Sequence, residues 1–316
     1  MVRERFLKSY DGTELYTVHA GEGMPIVLVD GIGCDGYIWR HLEPTLSRKY
    51  HVLRYHHRGH GRSKVPEDLN ELGMEALRQD LLAVLDAYDI PKALLLGHSM
   101  GVQVILDAAV HAPERVSGLV PMCGSYGRML DTFHDNGLAR TLFPRLRDLV
   151  FAHPRRAQWL WRAVWPSELV FQYAKAVEVR GSLVRRDDFK PYFDHLARMD
   201  PQVFFRMLDK VRHHTVEDRL QELRVPTLVV AGQYDSFTPA WLSRRMQRLI
   251  PAAELLVVPH GSHAAPIEMP ELVELRLARF MAEHLCGATV ASARPTRPRK
   301  TRRSANPKAR RPVAAS

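Results

Sequence analysis

The chain has 316 residues, 46% of them apolar and 25% charged, an ordinary balance for a folded domain. It is long enough for one large α/β domain or for a domain with an insertion, and too apolar for a disordered chain. The net charge of +10 misleads, because nine of the 45 basic residues lie beyond Leu285 with no acid among them, leaving 36 against 35 in the body.

In chain order, Met1–Phe6 carries charges with no apolar run behind them, so no signal peptide is expected and the cytoplasm is the expected compartment. Strands are expected near Arg5–Tyr10 and Leu15–His19, joined through Asp11-Gly12. Pro25–Val29 is a continuous apolar run ending in a glycine loop, and Tyr50–Tyr55 is a further strand. In Met74–Tyr88, apolar residues recur at 74, 77, 81, 84, 85 and 88, which is helical spacing, and Pro91 stops the pattern. Ala93–Leu96 runs straight into Gly97, and Val102–Val110 suits the following helix. Val116–Met122, Thr227–Ala231 and Glu254–Val258 complete the strands. Alternating strands and helices predict an α/β fold, a mostly parallel sheet covered on both faces.

The alternation fails between 133 and 219, a helical stretch rich in Phe143, Phe151, Trp159, Trp161, Trp165, Phe171, Tyr173, Tyr192, Phe193, Phe204 and Phe205. It reads as a cap inserted over the sheet's carboxyl edge, with most of these rings bonding the insertion to the body. The expected organisation is core over 1–132, cap over 133–219, core over 220–287 and a disordered basic tail over 288–316. Such a tail is a candidate for anionic surfaces or nucleic acid. Oligomeric state is not readable. No stretch approaches the roughly 18–20 apolar residues of a membrane span. Cys34, Cys123 and Cys286 have no metal spacing and read as reduced thiols. No metal and no cofactor is expected, since Gly31-x-Gly33 lacks a dinucleotide fingerprint.

Gly97-His98-Ser99-Met100-Gly101 follows an apolar strand and precedes a helix, the context in which Gly-x-Ser-x-Gly is a nucleophile turn. Ser99 is the expected nucleophile and needs a base within hydrogen-bond reach. Partners are expected later in the chain. Asp235 lies just past the strand Thr227–Ala231, where site groups collect in open α/β sheets. Of the two histidines after the last strand, His263 is preferred as base, with His260 structural. After Val116–Met122, Cys123–Ser125 offers no carboxylate, and Asp131 reads as a cap-entry residue. Met100 N–H and Ile32 N–H are the expected oxyanion donors. Gly31, Cys34, Trp39, His98 and Trp165 are expected around the substrate.

With Asp30–Gly33 and Trp39, Arg58–Ser63, Gly97–Gly101, Gly232–Pro239 and Gly261–Pro270 in this order, the chain resembles the α/β-hydrolase superfamily. Within it the likeness is to the capped esterase, enol-lactonase and cofactor-free haloperoxidase branch, over Arg5–His284. The resemblance implies a serine hydrolase acting on a carboxylic ester or lactone through an acyl-enzyme. Acyl transfer, carbon–carbon bond hydrolysis, perhydrolysis or a ligand receptor use the same residues. Ser99 argues against relatives with aspartate as nucleophile. One departure is Asp30, where relatives usually have histidine.

Overall fold

Eight strands form one sheet in the order β1-β2-β4-β3-β5-β6-β7-β8. They are β1 Arg3–Lys8, β2 Glu14–Ala20, β3 Pro25–Val29, β4 His51–Tyr55, β5 Ala93–His98, β6 Val116–Met122, β7 Leu228–Gly232 and β8 Glu254–Val258. The architecture comes from a computed structural model, which describes residues 2–133, 137–177 and 186–285. β1 and β2 pair antiparallel at one edge, β2 meets β4 antiparallel, and every pair from β4 to β8 is parallel.

The continuous apolar runs are explained by cover on both faces. In β3, Val27 and Val29 join one core cluster, while Ile26 and Leu28 join the other. β5 divides the same way, Leu95 to the first face and Leu94 and Leu96 to the second. Helices α1 Leu42–Leu46, α2 Met74–Ala87 and α3 Met100–His111 lie between the early strands. Between β6 and β7 come α4 Met129–Thr132, α5 Leu138–Ala152, α6 Pro154–Val164, α7 Glu168–Val177, α8 Arg186–Arg198 and α9 Pro201–Val211. α10 Ala240–Leu249, α11 Ala265–Glu268 and α12 Pro270–His284 follow.

The arms of the long β6–β7 connection are pinned by backbone bonds. Arg128 N–H donates to His214 at 2.9 Å and Val216 N–H to Tyr126 at 3.1 Å. The tail over 288–316 and Cys286 lie outside the described residues.

Strand ends depart from expectation for local reasons. β1 stops at Lys8, short of Tyr10, because Ser9 and Thr13 close the turn by backbone bonding and the Asp11 carboxylate takes the Thr13 N–H. β5 continues to His98 and α3 starts at Met100, so Ser99 alone makes the turn.

The Arg58–Ser63 segment is anchored beneath the surface. The Arg58 side chain is wholly buried, and its guanidinium donates to both Asp80 oxygens at 2.7 and 2.6 Å, to Asp11 at 2.9 Å and to the Glu71 carbonyl at 2.7 Å. Ser9 donates a further bond to Asp80 at 2.5 Å. This bidentate pair ties the loop after β4 to α2 and to the β1–β2 turn. Arg58→Ala leaves Asp80 buried and uncompensated, so unfolding free energy should fall by about 3–5 kcal/mol. Urea denaturation of Arg58→Ala beside an Arg58→Met, Asp80→Leu pair tests this. Equal stability of the single variant and the parent would refute it.

Candidate active site

β5 delivers the chain into the turn at Ser99 with its last residues fully buried. Ser99 sits at φ +55°, ψ −118°, a strained backbone for a non-glycine residue. It persists because its surroundings fix it. Ser99 N–H donates to the Met122 carbonyl at 3.1 Å, and its own carbonyl accepts from Val102 N–H at 3.0 Å. The turn brings backbones into contact, so a Cβ on Gly101 would stand 2.2 Å from the Val29 carbonyl oxygen and one on Gly97 2.5 Å from the Gly101 oxygen. The β3 loop touches the serine itself. A Cβ on Gly31 would lie 2.9 Å from Ser99 Cβ, so glycine is what permits the approach.

β7 and β8 end beside this turn and carry the other two groups. His263 Nδ1 lies 2.9 Å from Asp235 Oδ2 and 3.1 Å from Oδ1, with the Asp235 side chain wholly buried. The carboxylate is held by its own turn, accepting from Phe237 N–H at 2.9 Å, Thr238 N–H at 2.8 Å and the Thr238 hydroxyl at 2.8 Å. The His263 loop is held from behind by Glu268, which accepts from Ser262 N–H at 2.6 Å and the Ser262 hydroxyl at 2.7 Å. His98 is buried, and its Nε2 lies 2.9 Å from the His263 carbonyl. A carbonyl only accepts, so His98 carries its proton on Nε2. Burial holds the His98 pKa down to about 3, keeping it a neutral donor. Thr238 and Glu268 had no sequence signal beyond standing near the two expected partners.

Ile32, Cys34, His98, Ser99, Trp165, Thr238 and His263 border one cavity of about 560 Å³, a usual size for a small-molecule site. Asp235 stands behind His263. Trp39 was expected on the substrate and does not border the cavity. It is fully buried among Ile26, Leu28 and Leu42, with its edge toward the His98 ring. Gly31 contributes backbone beside Ser99 rather than cavity wall. Burial raises the Cys34 thiol pKa, so it is an unreactive wall group. Met100 and Ile32 N–H groups have no hydrogen-bond partner among the described residues. His260 is exposed in a left-handed turn, stacked on Tyr234, away from the Asp235 carboxylate.

The expectation for the insertion's aromatics needs correction. Trp161, Trp165, Tyr192, Phe193, Phe204 and Phe205 border the cavity, so half or more of those rings line it rather than merely bonding the insertion to the body. Phe143 is buried against Phe205, and Trp159 is 72% exposed. The side chain of Tyr173 lies outside the described residues.

The described residues also gather Glu254, Glu283 and His284, with donor atoms within 4.8 Å of one another. Arg276 and Arg279 already pair with the two glutamates, and Glu254 opens β8 at the opposite end of the strand from His263.

The sequence matches the alpha/beta hydrolase fold family over residues 24–270. A protein assigned as the carbamate hydrolase RutD in Azorhizobium caulinodans is 28% identical over 273 residues, covering 86% of this chain and 96% of the relative. One of the same name in Rhizobium rhizogenes is 27% identical, covering 85% and 96%. Among solved structures, a hydrolase from Pseudomonas aeruginosa superposes with TM-score 0.71 at 25% identity, over 88% of this chain and 98% of that one. The enol-lactonase from Burkholderia xenovorans superposes with TM-score 0.66 at 21% identity over 88% and 100%, a likeness of fold.

Asp30, at the end of β3, is fully buried, and neither carboxyl oxygen makes a hydrogen bond of standard geometry among the described residues. Burial pushes its pKa up to about 7, against the pull of Arg54 and with a further push from Asp35. Folded Asp30 therefore keeps a proton that the unfolded chain releases near pH 4, and its contribution to stability falls as pH rises from there to about 7. His56, His57 and His98, held by burial at about 3, 4 and 3, act with the opposite sign as pH rises toward the ordinary imidazole value. Comparison with Asp30→Asn isolates the carboxyl. The stability difference should move in favour of asparagine by about 2–3 kcal/mol between pH 5 and pH 8. A pH-independent difference in urea denaturation would sink this.

Proposed function

The chain belongs to the α/β-hydrolase fold family, and we propose that it is a serine hydrolase of carboxylic esters or lactones that works through an acyl-enzyme. The observation that carries this reading is the 2.9 Å contact of His263 Nδ1 with buried Asp235, with Ser99 in its strained turn bordering the same cavity as His263. Asp235 fixes the imidazole with its proton on Nδ1, which leaves Nε2 to take the proton from Ser99 as the hydroxyl attacks the carbonyl. The developing oxyanion is received by Ile32 and Met100 N–H, which are available and need no rearrangement. His263 then protonates the leaving alcohol. Water enters, gives its proton to His263, and releases the acid from Ser99.

We assign residues 133–219 to a cap that closes this cavity, because its helices supply most of the aromatic wall. That wall favours an apolar acyl or alcohol group over a small polar one. A second reading is carbamate hydrolysis, favoured by the names given to the relatives at 27–28% identity. The same serine attacks either carbonyl, and product analysis separates them. The chain has no described helix long and apolar enough to cross a membrane.

Ser99→Ala should lower p-nitrophenyl ester turnover by roughly 10⁴-fold or more, and Asp235→Asn by about 10³–10⁴-fold, with KM changed far less. A fluorophosphonate probe followed by peptide mass spectrometry should mark Ser99. A mark on another residue, or full activity in Ser99→Ala, would overturn the assignment.

A further inference from the structure

A second cavity of about 480 Å³ lies in the groove between α5, α6 and α9. It shares Leu146, Trp161, Val164, Trp165 and Phe205 with the cavity beside Ser99. We propose that this groove is the distal subsite for a long aliphatic chain whose ester carbonyl lies at Ser99. The inference rests on the serine-hydrolase reading and narrows its substrate to long-chain acyl esters or lactones.

Three observations carry it. The first is adjacency, because five residues line both the cavity that Ser99 borders and the groove, so the two lie side by side. The second is chemistry. Of the groove's lining residues only His153 and Arg156 have strongly polar side chains and none is a carboxylate, so the wall is mainly aliphatic and aromatic and holds no anion to pair with an amine. The third is exposure. Leu146, Leu149 and Leu160 stand 50%, 57% and 55% exposed along the groove. Single exposed leucines are ordinary, but a concave apolar row beside the cavity that Ser99 borders marks a binding surface. A narrow flexible chain fits a groove that an aromatic wall already bounds. Each methylene moved from water into it should raise affinity about fourfold.

The test uses full-length Ser99→Ala protein and cis-parinaric acid, a fluorescent long-chain fatty acid that accepts energy from nearby tryptophan. Trp161 and Trp165 are the expected donors. Saturable binding with energy transfer is expected, weakened about tenfold or more by Ala157→Trp, which fills the groove from α6. Should that variant misfold by circular dichroism, Leu160→Glu places a charge on the exposed rim without adding core volume, and the same loss is expected. In the Ser99-containing enzyme, either substitution should lower the ratio of kcat/KM for the decanoate over the butyrate ester about tenfold. Equal parinarate binding by parent and variants overturns the proposal. So does absent binding in a protein that sediments as a dimer, where a second copy occupies the face. Groove-dependent parinarate binding without any Ser99-dependent ester hydrolysis supports the subsite and overturns the hydrolase reading alone.

Discussion

The backbone of Ser99 is the constraint around which the neighbouring elements are arranged. A residue at φ +55°, ψ −118° costs of order 1–3 kcal/mol and is retained only where its surroundings over-determine it. Here the buried strand β5 fixes one side, α3 begins immediately on the other, and the Met122 carbonyl holds the amide between them. The close approaches at Gly97, Gly101 and Gly31 follow from that turn. A methyl group at any of them would meet backbone, or Ser99 itself, at less than van der Waals distance. The backbone N–H groups after β3 and at the start of α3, the proposed oxyanion donors, are therefore positioned by main-chain packing rather than by side chains that must first be ordered.

The same device holds His263 and Asp235, the proposed base and acid. Tyr234 N–H donates to the Gly261 carbonyl at 2.8 Å and Gln233 N–H to Val258 at 3.1 Å, lacing the loops after β7 and β8 together. Glu268 fixes the histidine loop from below, and Thr238 fixes the carboxylate from its own turn. Each side chain thus has few remaining degrees of freedom. Asp235 can orient one nitrogen of His263 because its own oxygens are already aligned by local amides.

Much of this was legible in the sequence, and the reason is periodicity. Apolar runs at 25–29, 93–96, 116–122 and 254–258 each marked a strand, and glycine-bearing loops stood at the carboxyl ends where chemistry collects. Ser99, Asp235 and His263 are brought together by three such loops, with His260 turned outward. What was not legible depended on contacts between distant segments. Trp39 follows the glycine loop and so read as a pocket residue, but the short helices after β3 turn it inward, onto the core. His98 stood beside the nucleophile, yet its bond to the His263 carbonyl joins positions 165 residues apart. Phenylalanine and tryptophan occur both among the insertion rings that border the cavity and among those, such as Phe143 and Trp159, that do not. A helical ring lines a cavity or fills a core according to which face its neighbour covers, and single-helix spacing does not specify the neighbour.

The sheet and the insertion divide the physical work. Polar groups of the site cluster at the ends of β3, β5, β7 and β8, where strand pairing fixes their backbones. The insertion contributes almost only apolar wall to the cavity, including Trp161, Trp165 and Phe193. The arms of that insertion are tied together at Gly127 and Thr215 by an antiparallel bridge. On the proposed function, substitutions in the insertion would change the apolar wall around the substrate, while Ser99, Asp235 and His263 are held by loops of the sheet. Asp30 stands at the junction. It ends β3, its carbonyl takes the His57 ring bond at 2.8 Å, and Gly31 next to it touches Ser99. On the proposed mechanism, an ionised carboxyl there would oppose an oxyanion held by Ile32 and Met100 N–H, and the protonated acid would not. Burial, which raises the Asp30 pKa to about 7, thus favours the neutral acid at this junction below that pH.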